Sequence, residues 1–195
     1  IHLFDPEKTT APVFEKAGIP FELVANVDAI PQIKGGLVVI GEKASFRDYR
    51  SLSEIIVTTA GGGVSVLCLA PAGGEIALPG GTDRQGQPPS AMLFKQRNVI
   101  KKLDKQLDDV WAPDGKTIAS TLKLAGERGS VSLEAVKDDA NWPWVEMEFG
   151  KQKSKMVVCG FGIIEKWDSS PAPRYLLVQL LEYCGKNEGM EKAEK

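Results

Sequence analysis

A single histidine, His2, serves the whole chain of 195 residues. A Cys–His or Ser–His mechanism would have to use it, because such nucleophiles need a base beside them. Cysteine is sparse too, with Cys68, Cys159 and Cys184 only. An odd number at wide spacing argues against a disulfide framework, and without a C-x-x-C pair no zinc site is expected. Neither charge sign is in surplus: 24 Lys and Arg stand against 26 Asp and Glu. Nucleic-acid binders usually carry a basic excess, so that class of partner is not expected. No apolar run reaches the roughly 18 residues of a membrane span, and no signal peptide is visible, so membrane insertion is not expected. The chain opens at Ile1, already in a strand-like run, and reads as a segment of a longer parent.

Hydrophobic residues make up 43% of the chain, enough for one substantial core. The first half alternates strands and helices. Ile1–Phe4, Phe21–Ala25, Leu37–Ile40 and Val64–Ala70 read as strands. Between them, Thr9 or Thr10 can cap a helix that ends at Gly18. Ser45 and Asp48 have capping-box spacing, and Tyr49, Leu52, Ile56 and Thr59 or Ala60 share one face of a second helix stopped by Gly61-Gly62-Gly63. Apolar strands without alternation, joined by helices, indicate a parallel sheet covered on both faces. The expected fold is therefore α/β, flavodoxin-like and doubly wound, with a mostly parallel sheet.

Pro71–Pro89 is rich in Gly and Pro and reads as a long loop, either mobile or ligand-binding. Val99–Trp111 has helical spacing. Thr117–Leu124 and Ser130–Val136 read as strands, and Trp144–Phe149 with Lys155–Phe161 as an antiparallel strand pair. The last helix has Ser170 as N-cap, Pro171 at its first position, and Leu176, Leu177, Leu180, Leu181 and Cys184 on its buried face, with Gly185 closing it. One domain over residues 1–185 and a charged, disordered tail over 186–195 are expected.

Several segments in order carry a family resemblance. Gly36-Leu37-Val38-Val39-Ile40-Gly41, then Gly61-Gly62-Gly63-Val64-Ser65-Val66-Leu67, resembles a class I glutamine amidotransferase-like domain. Val99–Gly115, Val145–Gly150 with Met156–Cys159, and Trp167–Leu181 resemble its later segments. The nearest variant is the catalytically degenerate type associated with bacterial glycoside hydrolases and sugar-utilisation proteins. Catalytic members use a Cys in a Gly-x-Cys-x-Gly elbow and a late His with an acidic residue. Cys68 aligns with that Cys but lacks both glycines, and Gly162–Asp168 contains no His.

The resemblance thus implies a non-catalytic accessory or assembly domain of a larger carbohydrate-active protein. Its expected partner is a neighbouring domain or a second subunit, with an extracytoplasmic parent. Two other functions compete. One is a hydrolase of a sugar or amide, using Cys68 or a carboxylate pair drawn from Asp5, Glu42, Glu165 and Asp168, which lie near predicted strand C-terminal ends. The other is a carbohydrate-binding module that uses Trp167 and the Pro71–Pro89 loop; Glu42 and Asp5 are further binding candidates. Trp111, Trp142 and Trp144 are read as rim packing. Gly80-Gly81-Thr82-Asp83 lacks the Gly-Lys-Ser/Thr ending of a phosphate loop, and no cofactor is expected.

Overall fold

The structure is a computed structural model and describes residues 1–78, 91–93, 118–125, 130–135, 143–150 and 153–186. The strands are β1 (His2–Phe4), β2 (Glu22–Leu23), β3 (Leu37–Ile40), β4 (Ser65–Leu69), β5 (Gly74–Ala77), β6 (Ala91–Leu93), β7 (Ser120–Ala125), β8 (Ser130–Ala135), β9 (Trp144–Phe149) and β10 (Ser154–Cys159). The helices are α1 (Ala11–Ala17), α2 (Leu52–Gly61) and α3 (Pro171–Gly185), with a 3-10 helix over Val27–Gln32.

Seven strands form one sheet in the order β2-β1-β3-β4-β10-β9-β6. The first five pair in parallel, while β9 and β6 continue the sheet antiparallel. Leaving out the excursion between β4 and β10, the parallel strands run 2-1-3-4-5, the flavodoxin-like order. The sequence-based fold class is therefore the observed one. A second sheet, β5-β8-β7, is antiparallel.

Alternation along each central strand divides the core between the two faces. Val38, Ile40, Val66, Cys68, Met156 and Val158 pack on the side of α2. Leu37, Val39, Leu67, Leu69, Val157 and Cys159 pack on the opposite side, with Phe14 of α1 and Leu176, Leu177 and Leu180 of α3. Both faces are buried, which is why these strands read as unbroken apolar runs rather than alternating ones.

Some expectations change. Within Pro71–Pro89, residues 74–77 are strand β5 and hydrogen-bond to β8. Its short Gly-Glu-Ile-Ala pattern buries Ile76 alone against the core, too little periodicity to announce a strand. Residues 79–90 of that loop, the predicted 99–111 helix, Trp111, Trp142 and the tail beyond Lys186 lie outside the described residues. The Ser45–Asp48 spacing does make a side-chain bond, Asp48 N–H to Ser45 Oγ at 3.2 Å. It closes a turn, however, and the helix starts only at Leu52. Tyr49 therefore lies before the helix, where its ring meets Phe4 edge-on at 5.5 Å. At the last helix Ser170 Oγ accepts from Ala172 N–H, as a cap should, while Leu181 is half-buried.

Candidate functional site

In a doubly wound sheet, ligands bind outside the C-terminal strand ends, where the strand order reverses. Here that point lies between β1 and β3. Asp5 follows β1, and Gly41 and Glu42 follow β3.

Asp5 is spent on helix α1. Its Oδ2 accepts from Thr10 N–H at 2.9 Å and Ala11 N–H at 2.8 Å, and its Oδ1 from Thr9 N–H at 3.3 Å. An anion there also suits the positive end of the helix. Thr9 or Thr10 was the expected cap, but the Thr10 hydroxyl accepts Glu42 N–H at 2.9 Å and the Thr9 hydroxyl donates to the Glu42 carbonyl at 3.0 Å instead. Asp5 outcompetes them because Asp5 comes up from β1 directly beneath three free donors. The space between the two strand ends is closed as well. A Cβ at Gly41 would stand 2.5 Å from Asp5 Oδ1 and 3.0 Å from Thr10 Oγ1, so only glycine fits.

Glu42 is 1% exposed. Its carboxylate accepts from Ile164 N–H at 2.7 Å and Glu165 N–H at 2.9 Å, in the turn after β10. Burial pushes its pKa up to about 7, against the lowering effect of those two donors. Glu165 turns its own side chain to Lys43, at 3.2 Å. Asp168 is exposed and bonded to Lys16 Nζ at 2.8 and 3.0 Å, with Arg174 at 3.4 Å. The hydrogen bond from Lys16 holds the Asp168 carboxyl below its ordinary range. The four acidic candidates thus gather near one end of the sheet, each engaged with backbone donors or a basic side chain.

Cys68 lies within β4, between Ile40 of β3 and Val158 of β10, and is fully buried. Burial pushes its thiol far up, away from the thiolate a nucleophile needs. The left-handed backbone that a strand-to-helix elbow requires appears two residues later, at Ala70 with φ of 28°. The chain then runs through Pro71 into β5, not into a helix. His2 is two strands away in β1, roughly 10 Å at ordinary strand spacing, and its Nδ1 faces Glu22 at 3.4 Å.

Trp167 is 7% exposed. Arg174 covers it, with the guanidinium carbon 5.7 Å from the ring and Nε donating to the Trp167 carbonyl at 3.0 Å. The turn position suggested a surface ring, but the Arg one helical turn into α3 folds back over it. Trp144 is buried under the same side of the sheet.

The structure adds two features. Gly160, just after β10, is where the two sheets meet. Its carbonyl accepts from Ala119 N–H at 2.7 Å and Ser120 N–H at 2.9 Å, and its N–H donates to the Pro143 carbonyl at 2.6 Å. The other is a buried polar group at the antiparallel edge. Tyr183 of α3 donates to Glu146 of β9, and Lys155 Nζ lies 4.1 Å above the Tyr183 ring. The signal for it was Trp-Val-Glu-Met-Glu-Phe, whose alternation places Glu146 and Glu148 on the Trp144 face of the strand.

No family model matches the chain, and no curated protein matches it. Among solved structures, a Thermoplasma acidophilum protein assigned as one component of GMP synthase aligns over 98% of each chain, at 8% identity and a TM-score of 0.47. The fold class stands on the strand order, not on this likeness.

Proposed function

We propose that the chain is a non-catalytic packing domain that joins a neighbouring domain or subunit in a larger assembly. One observation carries this reading: the strand ends, where an α/β enzyme would hold its ligand, are filled by the chain itself. Asp5 and Glu42 bind backbone donors, and Gly41 lies against Asp5. Residues 119–120 lie across the end of β10. Burial of Cys68 and of Trp167 favours the same reading over a thiol hydrolase or a sugar-stacking module. Leu23 on edge strand β2 and Val178 and Tyr175 on α3 keep large apolar side chains in water, which suits a domain that packs against another. The amidotransferase-like type and a carbohydrate-active, extracytoplasmic parent belong to this proposal through the resemblance of Gly36–Gly41, Gly61–Leu67 and Trp167–Leu181.

The test is turnover on glutamine and a panel of aryl glycosides, for the wild type and Cys68→Ala. No turnover is expected from either protein. Cys68→Ala removes one sulfur from a closed core and is expected to lower the unfolding free energy by about 1 kcal/mol, read by urea denaturation. Wild-type turnover abolished by the substitution would overturn the reading.

A further inference from the structure

Helix α3 buries one face and keeps the other in water. Leu176, Leu177, Leu180 and Cys184 enter the core, while Arg174, Tyr175, Val178 and Glu182 are exposed, Val178 at 46% and Tyr175 at 38%. Leu181, half-buried, borders the same stripe. The exposed side chains recur three and four residues apart, so they stand in one row along the helix. That row is symmetric in position about Val178. Arg174 lies four residues before it and Glu182 four after, while Tyr175 lies three before and Leu181 three after. A basic and an acidic group thus stand about 6 Å along the axis on either side of an aliphatic centre. We propose that α3 is the contact of a two-fold dimer, in which the α3 of a second copy lies antiparallel across it with Val178 at the centre. The proposal rests on the packing reading above and names the partner of that domain as this chain itself.

Antiparallel order lays each half of the row on its complement. At the height of Arg174 the second copy presents its Glu182, and at the height of Tyr175 its Leu181. The two-fold axis makes each of these contacts twice, around a central pair of Val178 side chains. A parallel arrangement would set Arg174 against Arg174 and Glu182 against Glu182, so charge selects the antiparallel one. Both charged groups have capacity for a partner. Glu182 is exposed and pairs with no basic group among the described residues. Arg174 reaches Asp168 at 3.4 Å, but that carboxylate has a nearer partner in Lys16, at 2.8 Å. The Arg174 Nε is anchored on the Trp167 carbonyl at 3.0 Å, which leaves the outer nitrogens for a second carboxylate. The side chain is held in place already, so pairing costs it little further rotamer freedom. A contact one helix wide is at the small end of protein interfaces, so the dimer is weak, with a micromolar or higher Kd.

The test is sedimentation equilibrium of the whole chain from about 10 µM to about 1 mM, with circular dichroism to confirm that each variant is folded. The wild type is expected to show a reversible monomer–dimer equilibrium. Arg174→Glu and Glu182→Arg, each alone, set like charges together at both ends of the contact and should weaken association at least tenfold. In an equimolar mixture of the two variants opposite charges face each other again, and mixed dimers should form with about the wild-type affinity. Val178→Asp brings two carboxylates together at the centre and should abolish the dimer. Because Arg174 also covers Trp167, Glu182→Arg and Val178→Asp decide the matter where Arg174→Glu does not fold. A wild type that stays monomeric throughout overturns the proposal; the packing reading then falls to a neighbouring domain, and the turnover assay tests it separately. Dimers that survive both Glu182→Arg and Val178→Asp, or a mixture that associates no more tightly than its components, overturn the proposal as well.

Discussion

Gly160→Ala is expected to lower the unfolding free energy by about 4 kcal/mol. An added Cβ would stand 2.0 Å from the Ser120 carbonyl oxygen, 3.0 Å from its carbon and 3.1 Å from the Pro143 oxygen. All three are backbone atoms, so no side chain can swing aside to make room. The chain must back away from Gly160, and three short hydrogen bonds at this junction are strained or lost with it. Each is worth about 1 kcal/mol net, and overpacking adds roughly 1–3 kcal/mol. Against a total stability of about 5–15 kcal/mol, the loss should be plain in urea denaturation. Exchange should also rise at Ala119 and Ser120 before it rises in β4. An unfolding midpoint within error of the wild type would show that the two sheets are not joined through Gly160.

Asp5→Ala is expected to cost about 3 kcal/mol. The substitution removes one carboxylate but orphans three donors, Thr9, Thr10 and Ala11 N–H, at the start of α1. Loss of a helix cap alone is worth about 1 kcal/mol, and hydrogen bonds to charged groups are worth about 1.5–3 kcal/mol each when their partners cannot reach water. Thr10 N–H is buried, so solvent cannot take over from the carboxylate there. Asp5→Asn keeps one accepting oxygen and should lose about half as much. Thermal unfolding followed by circular dichroism would distinguish the two. Equal midpoints for wild type and Asp5→Ala would assign the helix start to Thr10 and remove the argument that the switch point is closed by a structural carboxylate.

Much of the parallel sheet was legible in the chain because both of its faces are buried. Leu37–Ile40 and Val64–Ala70 need no partner to announce themselves, since four or more consecutive apolar residues between turn signals have few other places to go. The antiparallel pair β9–β10 and the last helix were equally readable, from the Gly150 turn and the Ser170-Pro171 start. Strand β5 was not, because it has one core residue and gains its hydrogen bonds from β8, over fifty residues further on. Among the site candidates, the sequence placed Asp5 and Glu42 correctly at strand ends. It could not say that their oxygens are already taken by N–H groups of α1 and of the turn after β10.

Residue order alone settled the alternation of strand and helix, the lack of a late histidine and the thiol set in an apolar strand. Those properties depend on nearest neighbours and on side-chain chemistry. Only the tertiary structure decided that Trp167 lies beneath Arg174, that burial pushes the Glu42 carboxyl above its ordinary range, and that Gly160 must lack a side chain. Each of these is set by atoms brought close by folding, through exclusion of water, a facing partner or plain overlap of backbone atoms. A linear chain carries no local mark of them.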